Sequence, residues 1–288
     1  MNILIPMAGL GSRFNINIYK YPKPYIILKE KSMIEEAIES LDIRGNIILI
    51  VSMEQLKKYE RAREVINNLK KSYDNLKVIE SNKKLEGAAS TCLEAKKYIN
   101  NSKGLLIANC DQIMKWDGEE FRNYLIKNND DGVIVTYTST SPKNSYIQLN
   151  NNNKVIKVVE KKVISNIATV GLYYWKEGRM FINDCEDMVS KKIKELDEYY
   201  VAPVYNESIK KNRIVSIYPT DKFNLVGTPE DFHFYQELSN DWVCILWFRW
   251  CANKFRKHAL WMLESSTERY RSKTGVTLKQ PKARYNST

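Results

Sequence analysis

Short unbroken apolar runs, set apart by capped amphipathic stretches, constrain this chain more than any other feature. Asn2–Pro6 and Asn46–Val51 are continuous and apolar, the pattern of strands buried on both faces of a parallel sheet. Between them Ser32 and Glu35 spell a capping box ahead of Met33, Ile34, Ala37, Ile38 and Leu41 at helical spacing. Residues 53–72 read as one charged surface helix, Leu76–Glu80 as a strand and Ala88–Ile99 as a helix. Gly104–Ala108 is a further buried strand, ended by Asn109-Cys110-Asp111. This alternation predicts an α/β fold with a doubly wound, mostly parallel sheet and a ligand crevice at the carboxyl ends of its strands. Beyond residue 131 the pattern turns β-rich, with strands expected at Gly132–Thr138, Tyr146–Leu149, Val155–Glu160 and Ala168–Trp175. Helices over 177–196 and 200–211, a strand at Arg213–Tyr218 and a helix from Pro229 to Leu238 complete the pattern. No repeat of 20–50 residues interrupts it.

The first strand runs straight into Met7-Ala8-Gly9-Leu10-Gly11-Ser12-Arg13-Phe14, and Tyr21-Pro22-Lys23-Pro24 follows shortly after. Gly9 and Gly11 let the backbone turn tightly and present N–H groups to a bulky anion, the construction of an anion-binding nest. Arg13 forks onto phosphate oxygens, whereas Lys23, on a stretch stiffened by two prolines, supplies a point charge. The segment reads as a triphosphate or pyrophosphate cradle. It is no dinucleotide fingerprint, because Phe14 stands where the third glycine belongs. Neither a G-x-x-x-x-G-K-[ST] string nor the H-R-D and D-F-G partners of a kinase loop occur.

With these motifs in hand the chain resembles the sugar-1-phosphate nucleotidyltransferases, in particular short members found in surface-polysaccharide gene sets. The resemblance runs through residues 1–238 and reappears at Leu85–Ala89, Ile107–Gln112, Val159–Lys161, Ala168–Tyr173, Tyr199–Asn206 and Gly227–Asp231. It implies a Rossmann-like, glycosyltransferase A-type nucleotidyltransferase fold and an enzyme that moves a nucleoside monophosphate from an NTP to a sugar 1-phosphate. The products would be an NDP-sugar and pyrophosphate, with Mg²⁺ as cofactor. By this resemblance Arg13, Lys23 and Asp111 are catalytic, and Asp111 holds the metal. Ala8, Gly9, Gly11, Ser12, Gly87 and Ala88 would contact the nucleotide. Glu160 and Lys161 would bind the acceptor, with Lys162 an alternative cation, and Gly171 would let the acceptor lie over the next strand. Family members often carry a second metal-holding Asp two residues before the Gly-Thr near the domain's end. Here Leu225 fills that slot, leaving Asn224, Asp221 or water as substitutes. Two alternatives stay open: a cytidylyltransferase acting on a non-sugar phosphate, and a catalytically silent nucleotide-sugar-binding protein. A glycosyltransferase fits less well, because it needs a D-x-D motif where this chain has Asn-Cys-Asp.

Tyr199–Asn206, with three tyrosines and a proline, reads as an aromatic helix start packing on the sheet rather than a ligand contact. Residues 1–240 are expected to form the catalytic domain and residues 241–288 a basic, Trp-rich extension. Of the net charge of +11, the extension carries +7, from ten Lys or Arg against three Asp or Glu. Trp242, Trp247, Trp250 and Trp261 interleave there with basic residues. Residues 242–263 suit a helix docked on the domain or on a second subunit, an interfacial membrane helix, or an appended foreign segment; docking is the preferred reading. The polar, basic residues from about 265 are expected to be disordered. Five scattered cysteines without a C-x-x-C pair predict a reducing, cytoplasmic setting and no zinc site. No leader, transmembrane span or nucleic-acid partner is expected, and the modest basic balance of residues 1–240 suits phosphorylated substrates.

Overall fold

The computed structural model describes residues 1–9, 11–83 and 86–237. The expectations for residues 241–288 lie outside the described residues. The elements, in chain order, begin with β1 (Asn2–Pro6), α1 (Ile16–Tyr19), α2 (Met33–Leu41), β2 (Asn46–Ser52), α3 (Met53–Lys58), α4 (Glu60–Ser72) and β3 (Lys77–Ser81). Then come α5 (Ala88–Cys92), α6 (Lys96–Ile99), β4 (Leu105–Ala108), β5 (Gln112–Met114), α7 (Gly118–Asn128), β6 (Gly132–Thr138) and β7 (Ser145–Leu149). β8 (Val155–Glu160), β9 (Ile167–Trp175), α8 (Gly178–Ser190), α9 (Tyr205–Lys210), β10 (Val215–Pro219) and β11 (Phe223–Leu225) follow, and residues 229–237 are helical.

Among the described residues the main sheet has the strand order β10-β6-β9-β4-β1-β2-β3, with the β7–β8 hairpin attached through β9. β1 pairs in parallel with both β2 and β4, and β2 with β3, so the order reverses direction beside β1. That reversal is where open α/β sheets leave a crevice at the strands' carboxyl ends. β9 runs antiparallel to β4 and β6, which makes the sheet mixed, though mostly parallel. Alternation along the buried strands loads both faces. Ile3, Ile5, Ile47 and Leu49 pack with α2 and α4 on one side. Leu4, Ile48 and Ile50 pack with α5, α8 and α9 on the other. Each such fully buried side chain contributes about 1.5–3 kcal/mol.

Several boundaries differ from the expected ones for local reasons. Residues 53–72 form two helices, not one. Tyr59 is extended at φ −117°, and Arg63 donates to the freed Leu56 and Lys57 carbonyls at 2.6 and 3.0 Å. Residues 88–99 break into α5, a 3-10 turn (Leu93–Ala95) and α6. The helix expected over 200–211 shortens to a 3-10 turn at Ala202–Val204 followed by α9. The short antiparallel ribbon of β5 and β11 carries no periodicity signal at three residues a strand. The capping box is present in both directions, with the Ser32 N–H 2.8 Å from Glu35 Oε2. Among the described residues no helix is long and apolar enough to cross a membrane.

Candidate active site

β1 and β4 are neighbours whose carboxyl ends open onto the same crevice, and each feeds a polar loop into it. The loop after β4 delivers Asp111, whose carbonyl accepts from the Val226 N–H at 2.9 Å. The loop after β1 delivers Arg13, and the turn that follows delivers Lys23. Arg13, Asp111, Glu160, Lys161 and Gly171 all border one cleft of about 410 Å³.

Lys23 reaches this cleft through Asp111. Its ammonium pairs with Asp111 Oδ2, and both side chains are about 15% exposed. Burial works against the Lys23 ammonium, but the Asp111 carboxylate outweighs it and holds the lysine above its ordinary pKa. Burial also pushes the adjacent Cys110 thiol up to about 11, which keeps it neutral. The other carboxylate oxygen, Asp111 Oδ1, accepts from Gln112 Nε2 at 2.5 Å. Gly11, at φ +60°, lies against the lysine stem, where a Cβ would sit 2.9 Å from Lys23 Cβ. Phe14 places its ring 5.8 Å from the Lys23 ammonium and packs edge-on against Phe232 of the helix over 229–237. The glycine loop and Lys23 are therefore one packed unit.

Across the cleft, β8 ends at Glu160 and Lys161 follows it. Ser145, paired with Glu160 across the hairpin, donates its hydroxyl to Glu160 Oε2. Burial holds the Glu160 carboxyl above its ordinary pKa, against the Ser145 hydrogen bond and the Lys161 charge that pull it down. Beside it, the buried Tyr173 hydroxyl lies 3.0 Å from Thr169 Oγ1. Lys161 donates to the Tyr200 hydroxyl at 2.5 Å. Lys161 and not Lys162 borders the cleft, which separates the two cations the sequence leaves open.

Other expected contacts fall elsewhere. Gly87 sits at φ +114°, and a Cβ there would lie 2.5 Å from the Tyr199 carbonyl oxygen. The close approach that Gly87 permits is thus to the chain's own backbone, tied by the Tyr199 N–H to the Glu86 carbonyl at 2.7 Å. Ala8, Gly9, Gly11, Ser12, Gly87 and Ala88 do not border the 410 Å³ cleft. The space left by Gly171, at φ +106°, is filled by Asn109 and Gln112, so this glycine packs the cleft floor.

Leu225 pairs with Gln112 in the ribbon and borders the cleft beside Asp111. Asn224, one residue back, is not on the cleft, and its Nδ2 is buried without a partner. Asp221 borders a separate groove with Pro219 and Phe223. The further carboxylate on the cleft is Asp231, which accepts from Thr228 Oγ1 at 2.8 Å, while Thr228 Oγ1 caps the helix over 229–237 by accepting from the Asp231 N–H at 3.2 Å. Thr228-x-x-Asp231 has capping-box spacing, a signal present in the sequence and unused. Tyr200 departs from the core-packing expectation for its segment: Tyr199 and Tyr205 are buried, but Tyr200 borders the cleft.

The sequence pattern described as nucleotidyl transferase matches residues 4–238. The chain belongs to the nucleotidyl transferase family. It is 28% identical over 236 residues to the bifunctional protein GlmU of Methanocaldococcus jannaschii, covering 80% of this chain and 52% of that one. A second GlmU, from Methanococcus vannielii, is 25% identical over 240 residues, covering 80% of this chain and 53% of the relative. The nucleotidyl transferase chain thus spans about half the length of these curated relatives. Among solved structures, a nucleoside-diphosphate-sugar pyrophosphorylase from Vibrio cholerae RC9 superposes with a TM-score of 0.71 at 22% identity, covering 82% of this chain and 99% of that one. A UDP-glucose pyrophosphorylase complexed with UDP-glucose gives 0.67 at 16% identity, covering 83% and 98%. At these identities the superpositions establish the shared nucleotidyl transferase fold.

Proposed function

We propose that residues 1–240 transfer a nucleoside monophosphate from an NTP to a sugar 1-phosphate, releasing pyrophosphate. One observation carries this reading. Arg13, Asp111 and Glu160–Lys161, drawn from three distant stretches, border a single cleft, and Lys23 is paired with Asp111 at its edge. Attack of one phosphate on the α-phosphorus of another needs its repulsion neutralised and its geometry fixed. In this reading Arg13, which follows the glycine loop, faces the departing pyrophosphate. Lys23 turns from Asp111 to the α-phosphate and offsets the charge that develops there. Glu160 accepts from a sugar hydroxyl, while Lys161 meets the acceptor's phosphate.

Among the described residues no group of three or more His, Cys, Asp or Glu could enclose a metal. A single carboxylate still suits Mg²⁺, which takes one or two carboxylates together with substrate phosphates and water. Gly227 supports that fit by leaving room beside the carboxylate: a Cβ there would sit 3.0 Å from Asp111 Oδ2, the oxygen that Lys23 now holds. Asp111 would hold the ion, which would supply charge neutralisation at the transferring phosphates.

The test is pyrophosphate release measured with each of four NTPs against a panel of hexose 1-phosphates and non-sugar phosphates. Release with a sugar phosphate supports the reading. Release only with a non-sugar phosphate moves the assignment to a cytidylyltransferase-like activity. NTP binding without release under any pairing leaves a silent binding protein.

A further inference from the structure

The acceptor side of the cleft is closed by a segment that sequence patterning assigns to the core. Residues 195–198 make a tight turn, closed by the Glu195 N–H to the Glu198 carbonyl at 3.1 Å and the reverse bond at 3.0 Å. Its two central residues, Leu196 and Asp197, sit at φ +49° and +62°. Two-residue hairpin turns require this left-handed geometry and usually meet it with Asn or Gly, so a leucine here is strained. The turn is also pinned to the acceptor pair, because Glu195 Oε2 accepts from the backbone N–H of Glu160 at 2.7 Å. Tyr200 follows two residues after the turn.

The Tyr200 hydroxyl accepts from the Lys161 ammonium at 2.5 Å, and the ammonium lies 4.6 Å from the centre of the same ring. The negative charge of the Glu198 carboxylate lies near the same hydroxyl. The phenol oxygen therefore serves as the acceptor for the Lys161 ammonium. Lys161 is itself left-handed at φ +50°, its N–H held by the Asn144 carbonyl at 2.9 Å. An unrestrained lysine would sample many rotamers and lose that freedom on binding.

We propose that Tyr200 is a positioning residue for the acceptor: its hydroxyl, carried on the segment that the 195–198 turn ties to Glu160, parks the Lys161 ammonium beside Glu160 before any ligand arrives. The ligand class is a phosphomonoester that carries a free hydroxyl near its phosphate, met by a carboxylate and a cation already in place. This inference rests on the nucleotidyl transfer reading and adds a residue to it.

Tyr200→Phe keeps the ring under Lys161 and removes only the hydroxyl. In steady-state pyrophosphate release, this variant should raise the KM for the hexose 1-phosphate about tenfold, the scale of one lost hydrogen bond to a charged group. The KM for NTP should stay within twofold of wild type. Titration calorimetry with the hexose 1-phosphate alone should show the same loss of affinity. Lys162→Ala, outside the cleft, should change neither constant. An unchanged acceptor KM in Tyr200→Phe overturns the proposal, and so does a rise shared equally by acceptor and NTP, which marks general loosening. Wild-type protein that releases pyrophosphate only with acceptors lacking a hydroxyl near the phosphate also overturns it, while leaving nucleotidyl transfer intact. Wild-type protein with no release under any pairing removes the functional reading, and this inference with it.

Discussion

Lys23 and Asp111 form a pair in which each side chain makes the other's burial tolerable. Lys23→Ala would leave the carboxylate with Gln112 alone and strip the cleft of the charge proposed to meet the α-phosphate. We predict a loss of activity of about a hundredfold or more, the scale for removing one preorganised donor. Far-UV circular dichroism should stay as in wild type. Activity within a few-fold of wild type would show that the charge is not needed. The pH dependence separates the two ends of the cleft. Lys23, raised above its ordinary value, stays charged throughout the neutral range, and the stabilisation from its ion pair fades only in alkali, as pH rises through the raised pKa. Glu160 is raised by burial, so acidification protonates it before an ordinary glutamate. A protonated Glu160 no longer offers a full carboxylate to a sugar hydroxyl. The acceptor KM should therefore climb on acidification at a pH above the usual carboxylate range, while the NTP KM stays flat across the same interval. The folding linkage has the matching sign: ionising Glu160 costs native stability as pH rises from the ordinary carboxylate pKa toward the raised one.

At the scale of elements, α5 and the segment at Tyr199 are locked together through glycine. The Tyr199 N–H donates to the Glu86 carbonyl and the Ala89 N–H donates to the Tyr199 carbonyl at 2.9 Å, so the two segments lie backbone to backbone. Gly87→Ala would place a methyl within 2.6 Å of two backbone atoms of Tyr199, at a φ that L-residues rarely adopt. The expected cost is about 2 kcal/mol or more, from strain at a special φ/ψ. Urea unfolding should show a lower midpoint with an unchanged slope. Because Tyr200 adjoins this contact, the same variant should also weaken acceptor binding. A midpoint equal to wild type would mean that the Tyr199 segment yields without cost.

For the whole molecule, the distinctive feature is that the cleft is assembled by long-range pairing. The β5–β11 ribbon sets Leu225 opposite Gln112, and the Val226 N–H binds the Asp111 carbonyl. Residues more than a hundred positions apart thus share one edge of the site. Leu225→Asp would add a second carboxylate next to Asp111. We expect Mn²⁺ affinity, read by titration calorimetry without nucleotide, to rise about tenfold as a second oxygen donor joins the site. No gain would indicate that the ribbon holds residue 225 out of reach of the ion.

What the sequence determined alone was local: the buried strands, the Ser32–Glu35 box, the glycine loop and the residue types that phosphate chemistry needs. These depend on periodicity, caps and backbone freedom within a few neighbours, so they can be read along the chain. The resemblance added Asp111, Glu160 and Lys161, and the fold places all three on one cleft. The tertiary structure decided what no local pattern encodes: β9 running antiparallel, the ribbon that brings Leu225 to Asp111, and Gly87 packed on backbone. It also decided the turn that hands Tyr200 to Lys161. Those outcomes come from contacts between remote segments, whose pairing is chosen by packing and hydrogen-bond satisfaction across the whole domain.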